Sequence, residues 1–233
     1  MWESSLVDLL LQELENKRLI REGESTTDKW LWRGIGSTKF SVNVAYNILL
    51  GEEPIVVGDP FVEFWKLKTL PSAQVTAWRV LCNVIATKDN LMRRGIHMAC
   101  ARCPLCGVEE ETLRHLFFEC RVSWRIWGMC LEWLGFLSVL HGDAQLHFKM
   151  FKPIGLKHVI VRCWGGIWVG IVSEIWNHRN KVVFENGHVD VVEVFSFTQR
   201  KTWSWVTSME SVVNFSYSDW CLEPQCCMRY LKD

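Results

Sequence analysis

The stretch CPLCGVEEETLRHLFFEC, from Cys103 to Cys120, constrains this chain more than any other. It holds C-x2-C, then His115 nine residues after Cys106, then Cys120 five residues further on. Two thiolates two residues apart grip one ion from a tight turn. Pro104 fixes the backbone there, and Gly107 lets the following backbone swing so that N–H groups approach the sulfurs. Glu111 to Phe118 reads as helical and brings His115 in from the other side. Five residues advance about 140° round an α-helix, so the helix has to break before Cys120 if His115 and Cys120 hold one ion. Three thiolates and a neutral imidazole make a closed tetrahedral zinc site with one formal negative charge. No position is left for water, so the predicted cofactor is a single structural Zn2+ held by Cys103, Cys106, His115 and Cys120.

The alternative is a set of ordinary buried thiols, with His115 hydrogen-bonded in a core. Cys100 forms a second C-x2-C with Cys103, but Pro-Leu-Cys-Gly makes the better knuckle. Cys226 and Cys227 are adjacent and lack a matching partner set. The compartment matters to this choice. The N-terminus, MWESSLVDLLLQELENKRL, lacks the basic start and small-residue cleavage site of a signal peptide. The longest uncharged apolar run, Cys163 to Ser173, is expected to be too short to cross a bilayer. The expectation is a soluble, intracellular chain without a membrane partner, where close cysteines bind metal rather than form disulfides.

Local pattern predicts a mainly α fold. Leu6, Leu10 and Leu14 share a helical face. DKWLWRGIGSTKFSV reads as a short N-terminal β-hairpin, and Ser41 caps a helix with Val42, Ala45, Tyr46 and Leu49 on its inner face. Glu52 to Pro60 is a linker. FVEFWKLK and Ser72 to Ile85 follow as helices, and Thr87 caps a third that ends at Gly95. Trp124, Ile126, Trp127, Leu131 and Leu134 predict a helix ending near Gly135. His141 to Pro153 reads as a loop. The strongest periodicity runs from Ile160 through Trp164, Trp168 and Ile171 to Trp176, with Gly165, Gly166 and Gly170 permitting close packing. Val189 to Val206 reads as helix, although its valines favour strand. The expected organisation is 1–27 as helix and linker, 28–135 around a zinc-knuckle-like C-x2-C…H-x4-C insertion, and 136–233 as a helical C-terminal region.

The order of blocks resembles a known family. DKWLWRGIGSTKFSVNVAY, FWKLKTLPSAQVTAWRVLCNVIATKDNLMRRGI, CPLCGVEEETLRHLFFEC, IWNHRNKVVFENG and the terminal WSWV…FSYSDWCLEP together are similar to the zinc-binding domain that follows the polymerase in plant LINE-type (non-LTR) retrotransposon reverse transcriptases. The resemblance spans Asp28 to Pro224 and implies the same four ligands. Ala77, Cys82 and Asn83 depart from the family pattern without touching them. The resemblance also implies a module that helps the polymerase hold template RNA or target DNA.

The residues themselves support that role modestly. Formal net charge is zero, with 26 basic and 26 acidic residues, whereas dedicated nucleic-acid binders carry excess Lys and Arg. Between Lys88 and Arg125 the balance is +2. Arg93, Arg94 and Arg102 flank the knuckle and are the expected phosphate contacts, against the alternative of a solvated helix face. Phe117 and Phe118 could stack on bases but more naturally fill a core. The sequence holds no adjacent Asp-Asp pair, no Gly-rich phosphate loop and no G-x-S-x-G, so no catalytic residue is assigned. A scaffold that packs against a reverse transcriptase polymerase, or a remnant without selected function, stays open beside the RNA or DNA reading.

Overall fold

The computed structural model describes residues 61–138, 141–153, 155–209 and 215–231. The expected N-terminal helix carrying Leu6, Leu10 and Leu14, the N-terminal hairpin and the helix after Ser41 lie outside these residues. Within them the fold is mainly helical. The segments are α1 (Val62–Trp65), α2 (Pro71–Leu81), α3 (Lys88–Arg93), a π turn (His115–Glu119), α4 (Arg121–Trp133), α5 (Ala144–Met150), α6 (His158–Phe184), α7 (Val191–Met209), α8 (Tyr217–Leu222) and α9 (Pro224–Arg229). One isolated antiparallel bridge, Arg102 with Glu110, is the only β pairing among the described residues.

Local chemistry explains the boundaries. Pro71 occupies the first turn of α2, where its missing N–H costs nothing, and Leu70 before it is extended, as a residue preceding proline tends to be. At the end of α4, Gly135 has φ +56, and the Phe136 N–H reaches back to the Leu131 carbonyl at 3.0 Å, so a left-handed residue closes the helix. Ser216 and Asp219 form a reciprocal capping box at α8.

The region from His141 to Pro153 departs from the expected loop. It contains α5, whose N-cap Asp143 accepts from the Leu146 N–H at 2.9 Å. Ala144, His147 and Phe148 are its buried face, spaced i, i+3, i+4. The pattern was hidden because one of the three inward residues is a histidine.

Helix α6 is the centre of the described residues. It packs chiefly on α7 and α2, and every residue from Cys163 to Ile175 is buried. The run expected to be too short for a bilayer belongs to a 27-residue helix that is long and apolar enough to span one by length and composition. Its most apolar window is 78% buried against the rest of the chain, so the same residues serve as core. The glycines permit this. A Cβ on Gly165 would lie 2.8 Å from Leu67, and one on Gly170 would lie 2.9 Å from Thr202 of α7. Trp127, Trp168 and Trp220 are fully buried, each contributing a few kcal/mol, on the order of 3, by removing apolar surface from water.

His147 sits among these rings, with centroids 4.4 Å from Trp127 and 4.6 Å from Phe118. The Trp168 indole N–H donates to His147 Nδ1 at 3.0 Å, which places the imidazole proton on Nε2. Burial drives its pKa down to about 4, so the ring is neutral at pH 7.

Candidate metal centre

The knuckle is built from backbone hydrogen bonds before any metal is considered. The Glu111 N–H donates to Ala101 at 2.8 Å and the Cys103 N–H to Glu109 at 2.7 Å, which folds 101–111 into a miniature hairpin. Gly107 takes φ +70, a conformation glycine adopts without strain, and its N–H closes onto the Cys103 carbonyl at 2.8 Å. The N–H groups that approach the Cys103 sulfur belong to Leu105 and Cys106. The turn therefore aims donors at the Cys103 sulfur from within the C-x2-C itself.

His115 and Cys120 reach one point by a device the α-helical reading did not contain. The helix widens over His115–Glu119 and then breaks at Cys120, as the spacing required. His115–Glu119 is a π turn closed by the Cys120 N–H to His115 carbonyl bond at 2.6 Å. An i→i+5 closure returns residues five apart toward the same side. Cys120 then leaves the helical region at φ −59, ψ 132 and becomes the N-cap of α4. The π turn frees two carbonyls, and both find side-chain donors. Ser123 Oγ donates to Leu116, and the Trp127 indole N–H donates to Phe117 at 2.8 Å. Thr112 Oγ1 accepts from the His115 N–H at 3.0 Å and fixes the start of the turn.

The four predicted ligands converge. Each offers one donor atom, and all four atoms lie within 4.8 Å of one another. Cys106 Sγ is 3.3 Å from His115 Nε2. Tetrahedral zinc with bonds near 2.3 Å to sulfur holds sulfurs about 3.8 Å apart, so the donor set is close to the spacing the ion needs. Cys103 and Cys120 are wholly buried, whereas Cys106 and His115 are half-buried. Cys120 has its pKa held below the usual thiol range by a hydrogen bond from Cys103, with further help from the Val122 and Ser123 N–H groups at the start of α4. Cys103 is pushed up for the complementary reason, hydrogen bonding to Cys120, and by burial. A cation bound here replaces the thiol protons, because it takes the thiolate form of each cysteine.

A buried ion pair anchors this unit to the core helix. Arg179 of α6 grips Glu111 with both ends of its fork, Nε to Oε1 at 2.8 Å and Nη2 to Oε2 at 3.0 Å. Both side chains are buried, and burial pushes the Glu111 carboxyl upward against the pull of Arg179. The Arg179 guanidinium also lies over the Trp176 ring, which stacks on Phe117. Neither partner carries a local sequence signal, because the two residues are far apart in the chain.

Residues 40–127 match a family model described as zinc-binding in reverse transcriptase. The match contains all four donors, and that family is a zinc-binding accessory domain. The zinc-binding family and the convergent Cys103, Cys106, His115, Cys120 set agree on one zinc ion. Comparison with curated proteins and with solved structures finds no match.

The other singled-out residues are placed differently. Cys100 is exposed and Cys226 and Cys227 stand outside the donor cluster. Phe117 and Phe118 are buried, as core residues and not as stacking platforms. Arg93 pairs with Asp89 at 2.7 Å and with Asn90 at 3.1 Å. Arg94 donates to the Val84 carbonyl, and Arg102 is exposed beside the knuckle.

Proposed function

We propose that this chain is a non-catalytic accessory module of a LINE-type, non-LTR retrotransposon reverse transcriptase of the plant kind, in which zinc fixes the knuckle so that neighbouring surfaces hold RNA or DNA. The observation that carries this reading is the convergent donor set inside a match to the reverse-transcriptase zinc-binding family. Three thiolates and an imidazole fill the coordination sphere, so the ion organises structure and does no chemistry on substrate. On this reading residues 28–135 form the zinc-binding domain, 1–27 precede it, and 136–233 back it. The protein works in a soluble, intracellular setting where thiols stay reduced. Arg93, Arg94 and Arg102 provide phosphate contacts at the edge of the knuckle.

Binding of labelled single-stranded RNA and DNA by the zinc-loaded chain, at about 50 and about 200 mM salt, tests the reading. Affinity should fall steeply with salt, and substituting Arg93, Arg94 and Arg102 together by alanine should weaken it. Affinity absent at both salts would overturn the reading. A second reading, a scaffold that packs against the polymerase, is favoured by the exposed apolar side chains Val62, Trp65, Leu70 and Val75 around α1 and α2. Association through that surface would persist at high salt.

A further inference from the structure

Helix α4 leaves the metal centre with an outward face that the core does not use. Trp124 is 61% exposed. It lies between Arg121, three residues back, and Gly128, four residues on, with Arg125 beside it. Residues at i, i+3, i+4 and i+7 share one helical face, so Arg121, Trp124, Arg125 and Gly128 form one stripe. All four of these residues, both arginines included, are exposed. The Arg121 guanidinium donates to the Cys106 carbonyl at 3.4 Å, which ties the stripe to the zinc knuckle. Among the described residues, neither Arg121 nor Arg125 is in an ion pair.

The stripe opens into a groove of about 470 Å³ along Trp124, Gly128, Leu131, Phe136 and Leu137, with Glu132 as its acidic member. Gly128 shapes the near end. A Cβ there would meet nothing within 4 Å, so the groove is open where Gly128 and Trp124 line it. Apolar grooves alone do not choose an occupant. Here the choice follows from charge and shape together: an exposed indole, open space beside it, and two guanidinium groups on the same stripe that form no ion pair among the described residues. Aromatic platforms flanked by arginines suit single strands, whose bases stack while phosphates meet the cations.

We propose that this face of α4 is a single-stranded nucleic-acid subsite, with one base stacked on Trp124 across Gly128 and the adjoining phosphates on Arg121 and Arg125. This deepens the function proposed above and rests on it. It assigns base stacking to Trp124, in place of the phenylalanines that the fold buries.

The test uses the full zinc-loaded chain and fluorescein-labelled ten-residue oligo-dT and oligo-U, with anisotropy read at two salt concentrations. Trp124→Ala should weaken binding about tenfold, while Trp124→Phe retains most of it. Gly128→Leu should weaken binding similarly, by filling the gap, without lowering the melting temperature, because the added side chain meets open space in a helix. Arg125→Ala should flatten the salt dependence by about one phosphate contact. Zinc content and melting temperature of every variant confirm that the fold persists. Wild-type binding with unchanged affinity in Trp124→Ala and Gly128→Leu overturns this inference and leaves the broader reading standing. No binding by wild type at either salt overturns both. A wild-type dimer that Trp124→Ala dissociates, with no change in oligonucleotide affinity, overturns the inference in favour of a protein interface.

Discussion

Between Ala101 and Glu110 only Cys103 and Leu105 are buried, whereas every residue of α6 from Cys163 to Ile175 is buried. The first segment has too little apolar surface to offset its ordering entropy, which runs to about 1–2 kcal/mol per residue. Its shape comes from backbone bonds, the Glu111–Arg179 pair and the ion. The second segment needs no ion. Trp164, Ile167, Trp168, Ile171 and Ile175 order it by burial, and glycines let α7 and Leu67 approach. One chain thus contains a part whose order is conditional on a cofactor and a part whose order is not.

The largest expected effect separates the two parts. Removing zinc with a chelator, or by Cys106→Ser, forfeits binding energy on the order of 10–16 kcal/mol. Hydrogen exchange should then show amides of 101–110 losing protection while α6 and α7 keep theirs. Loss of protection in both regions together would break the comparison. Because zinc binds thiolates and neutral imidazole, binding releases protons, and zinc affinity should fall as pH drops.

A smaller effect probes the link between the regions. Glu111→Gln or Arg179→Met leaves one buried charge without its partner and should cost about 3–5 kcal/mol, whereas the double substitution should cost less than either single change. Urea denaturation of the three variants checks this. Additive single costs would mean that the pair does not couple knuckle and helix.

The donor set was legible because metal spacing is local. Pro104 and Gly107 announce the turn, and His115 and Cys120 follow five residues apart, across a helix end. The way those two meet was not legible, since a π turn depends on carbonyl partners from Ser123 and Trp127 that only the folded chain supplies. Helix α6 was legible from the repeated Ile and Trp positions. The Glu111–Arg179 pair was hidden by sequence distance, and α5 by the histidine in its apolar face. Trp124 was read with the apolar set of its helix, yet the buried face is Ser123, Ile126, Trp127 and Cys130. A tryptophan offers the same hydropathy whether it points inward or outward.

The smallest of the predicted effects concerns the core alone. The folded-state pKa of His147, about 4, is below its ordinary value near 6.5. The unfolded chain therefore takes up the proton first as pH falls. Stability contributed by the neutral ring is intact above pH 6.5, declines between 6.5 and about 4, and amounts to about 3 kcal/mol in all. Urea midpoints of the metal-free protein across that window should follow this slope, and His147→Phe should flatten it. A midpoint independent of pH would show that the ring is not held neutral by burial.

Zinc content measured together with X-ray absorption on the purified chain tests the central claim most directly. The account predicts one zinc per chain with three sulfur neighbours near 2.3 Å and one nitrogen near 2.0 Å, values typical of such sites, and loss of that signal in Cys106→Ser. Protein prepared without chelator in zinc-replete medium that carries no zinc, or zinc bound with oxygen neighbours in place of the three sulfurs, would contradict it.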